Sequence, residues 1–122
     1  YPYFYDNTVS PGVAVTDWTR GGALTAADAK KLMGACFNIN LLTREPAAYV
    51  HARTYARRLL YDTIDFLDDK TINMSTGATA IAYDSDKYVR GPTATDVTTT
   101  ESYKYLAKYS RTTGAWDASQ RP

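Results

Sequence analysis

The sequence predicts a mainly α domain: a helical hairpin plus a short third helix, with an extended aromatic N-terminal arm and a loop-rich C-terminal half. Three observations carry this. From Thr25 to Asp69 apolar residues recur at three and four positions, the spacing of one helix face, broken only at Arg44-Glu45-Pro46. The stretch before it is rich in aromatics, Pro and Gly and has no such period. From Lys70 to Val97 the composition turns to Thr, Ser, Ala, Asp and Gly, and a helix-start signature returns only at Thr98. At 122 residues the length suits one domain. It divides into an arm (1–24), the hairpin (25–69), an irregular stretch (70–97) and a short helix with a tail (98–122).

The arm, YPYFYDNTVSPGVAVTDWTRGG, is expected to lie on the body through Tyr3, Phe4, Tyr5 and Trp18, with room for a short edge strand at 13–15. The first helix begins at Thr25, whose hydroxyl can cap it. Asp28, three positions on, makes a capping-box variant and suits the positive end of the helix dipole. Ala29, Leu32, Met33, Cys36 and Phe37 form its apolar stripe, continued by Ile39, Leu41 and Leu42 past Asn38 and Asn40. Gly34 weakens a helix by about 1 kcal/mol relative to Ala, so a closely packed neighbour is expected there.

Pro46 fits a first helical turn, so the second helix should run from about 46 to 67 or 68. At about 100° per residue, Tyr49, Ala52, Ala56, Leu60, Ile64 and Leu67 share the face that should pack on the first helix. Opposite lie His51, Tyr55, Arg58, Asp62, Asp65 and Asp69, with Arg58 and Asp62 spaced to pair. Beyond it, a short strand near 80–83 and a stop at Arg90-Gly91-Pro92 are the only features expected. Thr98 with Glu101 then caps the final helix, whose apolar side is Tyr103, Leu106, Ala107 and Tyr109. RTTGAWDASQRP reads as loop anchored by Trp116.

Composition removes several functions. Fourteen basic and thirteen acidic side chains leave a net charge of +1, without the field that nucleic acid or an anionic membrane would call for. Arg53, Arg57 and Arg58 with Tyr49, Tyr55 and Tyr61 resemble a nucleic-acid patch only until the neighbouring aspartates are counted. No apolar run approaches the ~20 residues of a membrane span. One cysteine allows no internal disulfide. One cysteine and one histidine exclude covalent haem attachment through CxxCH, a cysteine-rich zinc site and an iron–sulfur cluster. No nucleotide-binding or hydrolase motif is present. A Cys36–His51 nucleophile pair is the one catalytic arrangement left, and Cys36 sits in an apolar stripe where a small core residue is the simpler account. Catalysis is therefore not expected.

Two features need explaining. His51 lies away from the hairpin core; it is either a plain surface histidine or a ligand to a metal or haem iron supplied from elsewhere. Asp62, Asp65, Asp68 and Asp69 crowd the negative end of a helix dipole, where cations are favoured. They require cations, backbone donors or a metal. Calcium is one candidate, although the spacing lacks the loop and central glycine of an EF-hand. The eleven tyrosines suit an interface or a half-buried core equally.

At the hairpin the residues carry more than a period. DWTRGGALTAADAKKLMGACFNINLLTREPAAYVHARTYARRLLYDTIDFLDDKTIN resembles the C-terminal, haem-motif-free region of large multihaem c-type cytochromes of metal-reducing bacteria. The AYVHxRxYAxRLLYDxIDxLDD run is its most specific part. The likeness covers Asp17 to about Asn73, and more loosely TTESYKYLAKYSRTTGAWDASQRP. The cytochromes carry many CxxCH motifs and this chain has none. The resemblance implies a periplasmic or extracellular location and a partner, a haem-bearing cytochrome polypeptide. It also implies that any haem c is held covalently by another segment or chain, with His51 a candidate axial ligand to its iron. Opening on Tyr1 rather than Met, the chain is expected to be processed or one piece of something longer. The expected work is structural docking in extracellular electron transfer. The alternative is a self-standing surface or filament assembly module without haem, its tyrosines forming subunit contacts.

Overall fold

The computed structural model describes residues 4–8, 10–82 and 97–122. In chain order the elements are β1 (Tyr5–Asp6), β2 (Val13–Ala14), α1 (Ala26–Arg44), α2 (Ala48–His51), α3 (Arg53–Asp69) and α4 (Thr76–Ala82). A 3-10 turn (Val97–Thr99), α5 (Glu101–Leu106), β3 (Lys108–Ser110) and β4 (Ala115–Asp117) complete them. The architecture is mainly helical, with α1 and α3 packed as the hairpin and two small antiparallel ribbons.

The arm is more ordered than its composition suggests. β1 and β2 pair Tyr5 with Ala14 and Asp6 with Val13, and the Val15 N–H donates to the Phe4 carbonyl at 3.0 Å. Phe4 packs edge-on against Trp18 (5.6 Å) and against Phe37 of α1 (5.1 Å), which fastens the arm to the hairpin. Tyr5 points more to solvent, and Tyr3 lies outside the described residues. Arg20, Gly21 and Gly22 all have positive φ, a turn that uses two glycines where L side chains are strained.

One acid holds this arm. Asp6 accepts from the Thr8 hydroxyl and N–H and pairs with Arg20, and these interactions lower its pKa to about 2. A folded-state pKa below the ordinary 3.8 stabilises the arm above that value, and the contribution is lost as pH falls through about 2. Acid titration should therefore loosen the arm as pH falls towards 2, seen as a change in Trp18 fluorescence. Asp6→Asn should reduce that step, leaving the share of Asp17, whose pKa is lowered by the Thr19 hydroxyl and the Gly21 and Thr19 N–H groups.

α1 starts as expected. The Asp28 N–H donates to the Thr25 hydroxyl oxygen (3.1 Å), and that hydroxyl donates to the Asp28 carboxylate (2.7 Å). The expected neighbour of Gly34 is absent: nothing lies within 4 Å of where its Cβ would stand, because the residue faces an open seam between α1 and α3.

The second helix differs in two ways. It is divided at Ala52 (φ −137°, ψ 45°), giving α2 and α3 in place of one helix from 46. No breaker stands there, since alanine has the best helix propensity. The face on α1 also drifts. Ala56 is buried and Leu60 and Ile64 half-buried as expected, but Thr63 and Phe66 fill the seam while Tyr49, Ala52 and Leu67 are exposed. Asn38 of α1 donates to the Thr63 hydroxyl at 3.0 Å, which fixes the register.

The back of α3 is covered, which the sequence did not suggest. α4 occupies a stretch expected to be irregular, and residues 80–82 are helical rather than extended; Tyr83 and the Arg90-Gly91-Pro92 stop lie outside the described residues. Seven residues are too few for a helix to stand on propensity alone, even with three alanines. Tertiary contacts hold it instead: the buried Thr76 hydroxyl donates to the Tyr61 carbonyl (3.1 Å), and Gly77 passes so close to Ala118 that a Cβ would meet its backbone at 2.4 Å.

α5 begins two residues later than expected, capped by Thr100, whose hydroxyl accepts from the Tyr103 N–H (3.2 Å). The 3-10 turn takes up Val97–Thr99. Tyr103 and Ala107 are buried with Ala80, and Leu106, Trp116 and Ala118 pack on them. Trp116 is thus the anchor expected of it. The tail is not plain loop: β3 and β4 form a hairpin that pairs Tyr109 with Trp116 and turns at Gly114 with positive φ. Strands of three residues are too short to leave an alternating pattern.

Candidate functional site

His51 is the last residue of α2, immediately before the break at Ala52. Its N–H donates to the Ala47 carbonyl at 3.0 Å, so the backbone is held. Its side chain is exposed and makes no hydrogen bond or ion pair among the described residues. Around it, Tyr49 (64% exposed), Val50 (62%) and Tyr55 (64%) stand in solvent. An unengaged imidazole beside three large apolar side chains is free to take a ligand role on a covering surface. It makes no hydrogen bond to Cys36. Cys36 lies half-buried under the arm beside Phe4, Trp18 and Leu32, where burial pushes its thiol pKa up and disfavours the thiolate.

Internal donors account for the aspartates. Asp65 is fully buried, with one oxygen accepting the N–H groups of Asn73 and Met74 (2.9 Å each). Its other oxygen accepts the Ser75 N–H (2.6 Å) and hydroxyl (3.1 Å). Asp69 accepts from the Thr71 N–H and the Asn73 amide, and Asp68 from the Ser75 and Thr79 hydroxyls. Asp62 pairs with Arg121 of the tail rather than with Arg58, which donates instead to the Pro122 carbonyl (2.9 Å). Among the described residues no group of three His, Cys, Asp or Glu side chains is placed to hold a metal ion. The acids fold a loop.

The chain is similar to polyhaem c-type cytochromes. Over 83 residues, 60% of this chain, it is 40% identical to the C-type polyheme cytochrome OmcB of Geobacter sulfurreducens, in both the PCA and the DL-1/KN400 strains. It is 39% identical over the same share to the C-type polyheme cytochrome OmcC of the PCA strain. The chain spans about a tenth of the length of these relatives, 11% and 10%. No family model matches, and no solved structure does.

This partial homology agrees with the resemblance read from the hairpin. It also sharpens the count of cysteines: the relatives are named for their haems, whereas Cys36 alone cannot attach one here. No helix among the described residues is long and apolar enough to cross a membrane.

Two residues of α3, noticed in the sequence only as part of an arginine and tyrosine patch, have structural roles that the patch did not suggest. Arg57 reaches the carbonyls of Lys104 (2.8 Å), Tyr105 and Ala107 at the end of α5. Tyr61 is fully buried, its hydroxyl has no hydrogen-bond partner among the described residues, and burial, assisted by the nearby Asp65, raises its pKa. A signal for Arg57 existed in principle, since a cation suits the negative end of a helix dipole, but the helix it caps is remote in sequence.

Proposed function

We propose that this chain is a haem-motif-free structural segment of a polyhaem c-type cytochrome assembly in extracellular electron transfer, docking non-catalytically on haem-bearing polypeptide outside the cell membrane. The observation that carries the reading is the 40% identity with polyhaem cytochromes over a stretch that contains no haem-attachment motif. The residues present fit a haem held by another segment or chain. His51 offers an unengaged imidazole to the iron, and Tyr49, Val50 and Tyr55 offer apolar and aromatic surface beside it. When bound, the haem would supply one-electron exchange; the chain supplies position, a ligand and exclusion of water.

The test uses the natively isolated material. An absorption spectrum with a Soret band, together with a co-purifying polypeptide heavier than its sequence by whole haems, is the expected result. His51→Ala should then change the axial-ligand signature of one haem and leave the fold intact, since the imidazole has no partner among the described residues. An unchanged ligation spectrum would sink the ligand role while leaving docking in place.

The second reading, a haem-free assembly module, is favoured by one observation: Met33, Phe37 and Leu41 of α1 are all more than a third exposed. A colourless preparation that polymerises with concentration would put it first.

A further inference from the structure

A small notch of about 50 Å³ lies between the start of α3, α5 and the tail hairpin, lined by Arg53, Arg57, Glu101, Lys104, Tyr105 and Trp116. Three cations face one carboxylate. Glu101 pairs with Lys104 (2.9 Å) and its side chain is 90% exposed, so it screens the two guanidinium groups little. Arg57 is fixed: its Nε and one Nη reach three carbonyls, and its guanidinium sits 5.7 Å from the Tyr105 ring centre and 6.0 Å from that of Trp116. That leaves the second Nη with no hydrogen-bond partner among the described residues. Arg53 has neither hydrogen bond nor ion pair among them. Burial, with the neighbouring Arg53 charge behind it, lowers the Arg57 pKa, as expected of like charges lacking an anion.

We propose that this notch binds a carboxylate group, held between the one Nη of Arg57 that has no partner among the described residues and the guanidinium of Arg53, and flanked by Tyr105 and Trp116. A guanidinium held by backbone carbonyls has its remaining Nη already positioned, so little side-chain order is lost when that nitrogen donates to a carboxylate oxygen. Arg53, one wall of the notch, opens α3 two residues after His51 in the sequence. The partner rests on the docking reading above, the notch itself does not. The carboxylate has two sources of one chemistry: a propionate of the docked haem, or an acidic side chain of the polypeptide carrying it.

Metal-free mesoporphyrin carries two propionates but no iron, so its binding does not involve His51 ligation. The full chain is titrated with it, with its dimethyl ester and with glutarate, and the Trp116 indole N–H is followed by nitrogen-15 NMR with the Trp18 indole as reference. Saturable mesoporphyrin binding, lost in the ester and weakened about tenfold by Arg53→Gln but not by Arg111→Gln, is expected for a propionate. Glutarate binding with the same Arg53 dependence and an inert porphyrin would keep the carboxylate site and assign it to a side chain. Ester binding as tight as the free acid, insensitivity to Arg53→Gln, or no shift with either ligand overturns the proposal. None of these outcomes depends on the haem spectrum that tests His51.

Discussion

Asp65→Asn is expected to destabilise the domain by about 3 kcal/mol or more, a large fraction of the total for a chain of this size. The carboxylate is fully buried and both of its oxygens are occupied by donors: Asn73 and Met74 N–H on one, the Ser75 N–H and hydroxyl on the other. An amide has one acceptor oxygen and presents an NH2 where the other stood, so it turns donors against donors. Buried N–H groups left unbonded cost about 1–3 kcal/mol each. The loop they belong to carries Met74 at φ 67°, a conformation an L side chain does not hold unaided. Losing Asp65 therefore releases the loop and, with it, the start of α4. Denaturant unfolding measures the total, and hydrogen exchange at residues 73–75 should localise it. Asp69→Asn, on an exposed residue, should cost far less. Equal losses for the two would contradict the account.

Arg57→Lys is expected to cost about 2–4 kcal/mol, nearly as much as Arg57→Ala. Three carbonyls at the end of α5 converge on this one side chain. They are the acceptors a helix leaves unsatisfied at its C-terminus, and a cation there also suits the dipole. An ammonium is a point charge that cannot span three acceptors in the plane of a guanidinium. Since α5 and Trp116 form the small core with Ala80 and Ala107, their detachment should expose the indole. A red shift of tryptophan fluorescence below the main unfolding transition is the expected readout. Retention of full stability in Arg57→Lys would mean that charge alone holds α5.

The hairpin was legible because its information is local. The Thr25 cap and the Asp28 partner act within one turn, and the structure reproduces them. Of the expected α1 stripe, by contrast, Ala29 is buried, Leu32, Cys36 and Leu42 are half-buried, and Met33, Phe37, Ile39 and Leu41 are exposed. Those parts of the sequence that failed did so for a common reason. Helix α4 is too short to stand alone and exists because Asp65, Tyr61 and Ala118 hold it from other elements. Asp62 chose Arg121, far along the chain, over the nearby Arg58. Spacing along one helix ranks only neighbours on that helix.

By itself, then, the sequence determined that the domain is helical, where its first helix starts, that it cannot attach a haem covalently, and that His51 is its sole imidazole. Tertiary structure alone decided that Asp65, Asp68 and Asp69 anchor a loop while Asp62 pairs with the tail, that α3 packs on both α1 and α4, and that Arg57 and Arg53 line one notch. The division follows from range: periodicity and capping are set within a few residues, whereas the satisfaction of buried donors and charges is settled by whatever the fold brings alongside.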